Sequence, residues 1–370
     1  MQDFFDCLAK QYSDNLPFVV YRKPNTSEIK AVLQNDDTIH VTNDFETTGF
    51  VFSPFDNAFE TVILPLAHSK MLSTIYTFNH VDELLKDDID ALKSNKQAHV
   101  DLVKKAIEHI KTSDLQKVVV SRKEILDLED INIFSIFKKL LASYKSAFTY
   151  CWYHPKVGLW LGATPETLLK IEGRHFSMMA LAGTQDYKGT LNVEWQYKEL
   201  QEQQFVTDFI LDNIATSVSN ITISDVETVK AGNLLHLRTL IKGHLNLQNL
   251  NLKKLLNNLH PTPAVCGLPK EKAKVFILKN ENYLREFYTG FLGELNFDVN
   301  IKPRTGKRNI ENRAYTIQKR STQLYVNLRC MQIKDNTALV YVGGGITETS
   351  NPESEWLETI SKSKVVKKVL

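Results

Sequence analysis

The chain reads as a large α+β domain, and three observations lead there. Short β-like segments crowd residues 117–184 and 324–342. Long helical periodicities are mixed among them without the strict alternation of a βαβ repeat. With 370 residues, 43% of them hydrophobic, the chain is long enough for a large core.

Taken in order, Phe4, Phe5, Leu8 and Tyr12 predict a short amphipathic helix. Residues up to about 80 then read as short strands and turns. Leu84, Leu85, Ile89, Leu92, Val103, Ile107 and Ile110 give Val81 to Ile110 helical periodicity, interrupted near Ser94-Asn95. Strands follow at Val118–Val120, Phe148–Tyr153, Gly158–Leu161, Leu168–Ile171 and Phe176–Leu181. The clearest helix spans 194–216, where Glu202, Val206 and Phe209 fall in line beside Phe205, Ile210 and Ile214. Residues 324–333 alternate, with Leu324, Val326, Leu328 and Cys330 on one face and Tyr325, Asn327, Arg329 and Met331 on the other. A turn at Lys334–Thr337 and a strand Ala338–Val342 complete a hairpin, with Gly343-Gly344-Gly345 after it. Asn351-Pro352 starts the last helix, Asn as N-cap and Pro at its first position.

Composition excludes more than it selects. A formal net charge of +2 gives no global field for nucleic acid or an acidic membrane. Cys7, Cys151, Cys266 and Cys330 are scattered without a C-x-x-C, so neither a zinc site nor a disulfide framework is expected, and a reducing cytoplasm is. The first residues lack the basic and apolar regions of a secretory signal. No apolar run approaches the roughly 18 residues of a membrane span.

Two acidic pairs stand out. Glu199 and Glu202, and Glu355 and Glu358, each have i, i+3 spacing, so each pair lies on one face of its helix. Carboxylates aimed inward need a positive partner, and a hard divalent cation such as Mg2+ suits oxygen ligands. Spacing alone favours two solvated acidic faces instead. The run Lys302, Arg304, Lys307, Arg308, Arg313, Lys319 and Arg320 is opposed only by Glu311, and reads as a solvated insertion or an anion-binding loop.

Nine segments in order carry a resemblance: Lys117-Val-Val-Val-Ser-Arg122, Gly162-Ala-Thr-Pro-Glu166, Ala180-Leu-Ala-Gly-Thr184, Glu199-Leu-Gln-Glu202, His260-Pro-Thr-Pro-Ala-Val-Cys-Gly267, Arg285-Glu-Phe-Tyr-Thr-Gly290, Leu324-Tyr-Val-Asn-Leu-Arg329, Tyr341-Val-Gly-Gly-Gly345 and Asn351-Pro-Glu-Ser-Glu-Trp-Leu-Glu358. Over roughly residues 115–365 the chain resembles the chorismate-utilising enzymes, most closely the isochorismate synthases. The resemblance implies a single large domain of the anthranilate/aminodeoxychorismate synthase type, with two mostly antiparallel β-sheets packed together and helices outside. Residues 1–95 would be a divergent N-terminal part of that fold. Residues 96–370 would be the chorismate-binding catalytic region, with 301–320 a basic insertion.

The implied reaction adds water at one ring carbon of chorismate while the hydroxyl leaves from another. That calls for a base, an acid and a cation on the ring carboxylate. By resemblance Lys117 is the base and Glu166 the acid. On residues alone, a strand-end lysine and a capping carboxylate fit those positions too. The acid role needs a raised pKa, for which Leu159, Leu161 and Leu168 are the expected apolar surround. Glu202 and Glu358 match direct Mg2+ ligands; Glu199 and Glu355 match ligands acting through water. Arg329 matches the grip on the enolpyruvyl carboxylate. Gly183, Thr184, Tyr341, Gly343, Gly344 and Lys362 match further substrate contacts, and Lys362 is also i+4 from Glu358, the spacing of a helical salt bridge. Ala264 and Val265 match the ring-pocket wall. His260 is either a catalytic donor or structural.

Lys117 favours water as the nucleophile over the aminating relatives, so no glutaminase subunit is expected. Ala182 stands where one aminating branch has lysine. Salicylate synthases, which also eliminate pyruvate, share Lys117, Glu166 and the glutamates. A non-catalytic chorismate-binding protein is the reading from another class. The resemblance further implies Mg2+ as cofactor, chorismate as the small-molecule substrate, a monomer, and a product feeding menaquinone or siderophore biosynthesis. Asn351 and Gln203 depart from the family's usual Asp and His, and the loop Gln185–Glu194 is short.

Overall fold

The computed structural model describes residues 1–77, 96–129, 131–246, 251–301 and 317–370. Helix α1 (Gln2–Ser13) leads into β1 (Phe18–Arg22), β2 (Glu28–Gln34), β3 (His40–Val41), β4 (Gly49–Ser53), β5 (Val62–Pro65) and β6 (Ser69–Ile75). Next come α2 (Lys96–Thr112), β7 (Lys117–Asp127), α3 (Ile133–Ser143), β8 (Phe148–His154), β9 (Gly158–Thr164), β10 (Thr167–Glu172) and β11 (His175–Asp186). The third stretch is α4 (Tyr197–Ile214), β12 (Val218–Ile223), β13 (Glu227–Ala231), β14 (Leu234–Leu245), α5 (Leu252–Leu259), β15 (Gly267–Leu268) and α6 (Lys270–Asn280). The chain closes with β16 (Phe291–Ile301), β17 (Ile317–Val326), β18 (Cys330–Lys334), β19 (Thr337–Ile346) and α7 (Pro352–Lys367).

These strands form two sheets, one of nine strands ordered β15-β7-β19-β18-β9-β8-β1-β2-β6 and one of ten ordered β12-β14-β11-β10-β17-β16-β4-β5-β3. β13 pairs on β14 off that path. Every pairing among the described residues is antiparallel, as in β7 with β19 and β11 with β14. The two antiparallel sheets with helices outside are the architecture expected from the sequence. No helix of the described residues is long and apolar enough to cross a membrane.

Aromatic residues fill the space between the sheets. Phe148 of the first stacks on Tyr325 of the second at 4.1 Å, and Phe52 stacks on Phe287 at 4.3 Å. Rings that bury this much apolar area in close-packed contact dominate core energetics. One outer layer is α1 and α3, whose Phe5, Leu8, Phe137 and Leu140 pack with Leu159, Leu161 and Val340 of the nine-stranded sheet. The other is α4 and α5, whose Val206, Ile210, Leu256 and Leu259 pack with Leu169, Met178 and Leu324 of the ten-stranded sheet.

Four sequence expectations need correction or lie elsewhere. Residues 324–333 are not one strand. β17 ends at Val326 in one sheet and β18 starts at Cys330 in the other, with Asn327-Leu328-Arg329 crossing between them. Arg329 makes the bend at φ 49°, a left-handed conformation uncommon for a non-glycine residue. The three glycines do not follow a strand but lie inside β19, with Gly343, Gly344 and Gly345 opposite Ser121, Val120 and Val119. The helix expected from Val81 is described only as α2, and its first half with the Ser94-Asn95 break lies outside the described residues. So does most of the basic segment 301–320, of which Lys319 and Arg320 belong to β17. Beyond these, α3, inside the stretch read as strands, and β12, β13, β14, α5, β15, α6 and β16 were not foreseen.

Candidate active site

Where β7 and β19 face the start of α4 and the middle of α7, the molecule opens into a cavity of about 710 Å³ of empty space, its mouth included. Twelve of the sixteen expected site residues line it: Lys117, Glu166, Gly183, Thr184, Glu202, Ala264, Val265, Arg329, Tyr341, Gly343, Glu358 and Lys362. Ala182 lines it as well.

Lys117 is the first residue of β7 and is 2% exposed. Burial holds its ammonium below the usual lysine range, against the opposing pull of Glu202. Glu166, 3% exposed, sits between β9 and β10. Burial raises its carboxyl to about 8, although Lys117 and Arg329 pull it down. The apolar residues responsible differ from expectation. Leu159 and Leu161 pack toward α1 and α3, and Leu168 toward α4. The cavity's own apolar lining includes Leu181, Val265 and Leu328.

The two glutamate pairs come from helices that ride on opposite sheets. α4 buries Glu202 in line with Val206 and Ile210, so that pair is not a solvated face. Asn351 caps α7 by accepting from the amides of Glu353 and Ser354, both at 3.1 Å, which starts the helix where Glu355 and Glu358 point inward. Lys198 of α4 pairs with Glu355 of α7, joining the two helices. The sequence reading gave Lys198 no role, because its partner lies 157 residues away.

Glu199 Oε2, Glu202 Oε1 and Glu355 Oε2 are buried without a hydrogen-bond partner. Burial raises the Glu355 carboxyl despite Lys198. Burial works the same way on Glu358, but Lys362, Lys198 and Arg329 outweigh it and hold that carboxyl low. Among the described residues no three His, Cys, Asp or Glu side chains close into a ready metal cage. Orphaned carboxylate oxygens of this kind fit a hard cation that takes one or two carboxylates directly and keeps several waters.

Arg329 projects from the crossing between the sheets, and no hydrogen bond or ion pair among the described residues engages its guanidinium. Lys362 donates to Gly343 O at 3.0 Å and pairs with Glu358 at 2.5 Å, so the helical salt bridge is present. Tyr341 lines the cavity with its ring, but its hydroxyl donates to Gln332 Oε1 at 3.2 Å. A Cβ on Gly345 would lie 2.3 Å from Glu202 Oε1 and 2.9 Å from Lys117 Cε, so only glycine leaves room for both. Gly344, whose Cβ position is 3.5 Å from Glu355 Oε2, lies on the carboxylate side outside the cavity lining.

His260 is not among the lining residues. Its ring meets Phe291 edge-on at 5.0 Å, and burial with Lys270 pushes its pKa to about 3. Glu199 and Glu355 also lie outside the lining. The histidine that does line the cavity is His236 of β14. Its Nδ1 donates to Gly183 O at 2.7 Å, which leaves Nε2 as a buried acceptor without a partner. Burial, then Arg329, lowers it to about 3, so the ring is neutral. A single histidine inside an apolar strand run carried no signal in the sequence.

The family model for chorismate binding enzymes matches residues 58–301, more than half of the chain, under one of its forms, and a second form matches residues 314–368. The chain belongs to the chorismate binding enzymes. Within that family it is 25% identical over 307 residues to the isochorismate synthase MenF of Haemophilus influenzae, covering 80% of this chain and 66% of that relative. Matches to further curated isochorismate synthases span 43% to 65% of their lengths. The fold is similar to that of DhbC from Bacillus anthracis, with TM-score 0.74, 22% identity and 98% of each chain covered. It is also similar to anthranilate synthase component I from Streptococcus pneumoniae, with TM-score 0.62, 17% identity, and 95% and 92% covered. Chorismate binding enzymes of different names thus share this two-sheet architecture.

Proposed function

We propose that this chain is an isochorismate synthase that converts chorismate to isochorismate with Mg2+. What carries the reading is the convergence, in one cavity, of a buried lysine held below its usual range, a carboxyl raised to about 8, and an arginine whose guanidinium no hydrogen bond or ion pair engages among the described residues. The names of its curated relatives support it.

Arg329 takes the enolpyruvyl carboxylate in a bidentate grip. Glu202 and Glu358, with Glu199 and Glu355 behind them, are the residues that would hold Mg2+. When bound, such a cation would supply positive charge to stabilise a carboxylate of the substrate. Neutral Lys117 takes a proton from water, and the resulting hydroxide equivalent forms the new C–O bond. Glu166, protonated in the neutral range, gives its proton to the departing hydroxyl, which leaves as water. Ala264 and Val265 bound the ring, while Gly183, Thr184, Gly343 and Lys362 line the polar side. Because water is the nucleophile, no glutaminase subunit is required.

Purified protein incubated with chorismate and Mg2+, with products separated by chromatography, tests this. Isochorismate is the expected product. Salicylate with stoichiometric pyruvate would assign the chain to the salicylate synthases, and no turnover would leave a binding protein.

A further inference from the structure

We propose that Arg285 is a positioning residue that sets the separation between the strand bearing Lys117 and the wall that bounds the substrate ring. Arg285 does not line the cavity, yet it holds three residues that do. Its Nη2 donates to Val119 O at 2.7 Å, its Nη1 to Val265 O at 3.0 Å, and Nη1 again to Thr289 Oγ1 at 3.2 Å. Its remaining donors go to one carboxylate: Nε to Glu281 Oε2 at 2.8 Å and Nη2 to Glu281 Oε1 at 2.6 Å. A guanidinium has five N–H groups, and all five are used.

Glu281 extends the clamp by accepting from the amide and hydroxyl of Ser121 at 2.7 Å and 2.8 Å. β7 is therefore gripped at Val119 and Ser121, two and four residues past Lys117. The opposite wall is gripped at Val265. Arg285 is 3% exposed and its guanidinium also lies over Phe55 at 4.6 Å, so the group has no freedom to drift. A purely stabilising ion pair needs only Glu281. The three further bonds, each to a different segment of the cavity lining, are what a spacer requires. A lysine has three donors without the planar fork and cannot span the same set.

The inference rests on the chorismate reading above, and its test separates the two. In the full chain, Arg285→Lys is expected to raise KM for chorismate about 10- to 100-fold, more than it lowers kcat. It is also expected to raise the pyruvate released per isochorismate, since the ring is no longer held tightly against its wall. A folded Arg285→Lys with unchanged KM and product ratio overturns the inference, even if it melts earlier. So does a loss in kcat alone, which a smaller active fraction explains. Should that variant not fold, Glu281→Gln keeps the bonds to Val119, Val265 and Thr289 while loosening their anchor. The same changes in smaller degree are expected, and their absence overturns the inference. If the wild type binds chorismate without turnover, the catalytic reading falls while calorimetric affinities of wild type and variant still decide on Arg285. If the wild type does not bind chorismate, both fall.

Discussion

Lys117 Nζ lies 3.7 Å from Glu202 Oε1, and the pair spans the two halves of the molecule. Lys117 belongs to the nine-stranded sheet and Glu202 to a helix packed on the ten-stranded one. The two charges are electrostatically coupled, so substitutions at either position disturb both.

Replacing Lys117 with Ala, or Glu166 with Gln, is expected to lower turnover of chorismate by at least about 10²-fold, within the usual range for removing a general base or acid. Far-ultraviolet circular dichroism should remain that of the wild type. Near-normal activity in either variant would refute the acid and base assignment.

As the proposed general acid, Glu166 should make activity fall as pH rises. Its carboxyl must be protonated to act and loses its proton near pH 8, so kcat/KM should decline above that value. The same shift has a consequence for stability. A carboxyl whose folded pKa is raised contributes stability fully below its unfolded value and loses it as pH climbs through the folded one. Unfolding free energy should therefore drop between about pH 5 and pH 9, by a few kcal/mol at most given about 1.4 kcal/mol per pK unit. Glu166→Gln should flatten the drop in urea titrations at the two pH values. An unchanged slope would place the raised group elsewhere.

Glu358→Gln should raise the Mg2+ concentration needed for half-maximal activity by about tenfold or more, and should weaken Mg2+ binding in calorimetry. Glu353→Gln is the control, because Glu353 is exposed and among the described residues its ion pair is with Lys96 at 2.7 Å. Equal effects of the two would contradict the choice of ligand.

Gly345→Ala should cost activity without a large loss of fold. The added methyl falls within van der Waals contact of both Glu202 and Lys117, and displacements near 1 Å at a reacting centre cost about 10²-fold. Activity near wild type would mean that the two side chains relax freely.

Much of this site was legible in the sequence, and the gaps have physical causes. Asn351-Pro352 announced the start of α7 through local capping chemistry, which needs no distant partner. Glu202 showed itself by falling in line with Val206 and Phe209, beside Ile210. The crossing at Asn327–Arg329 did not, because both faces of each sheet are covered and apolar residues run on through it, while the side facing between the sheets passes from Tyr325 to Cys330. Nor is there a glycine to mark the positive φ at Arg329. His236 and Arg285 were missed for a different reason. Their roles depend on groups brought near from far along the chain, and Arg285 with Glu281 reads in sequence as an ordinary i, i+4 ion pair.

The placement of α4 and α7 on opposite sheets makes the four glutamates a clasp. Like charges facing each other across a seam push its two sides apart, a push that Lys198, Lys117 and Lys362 offset. A divalent cation seated there would draw the sides together. Cofactor loading would then tighten the whole sandwich, and melting temperature should track Mg2+ concentration even with no substrate present.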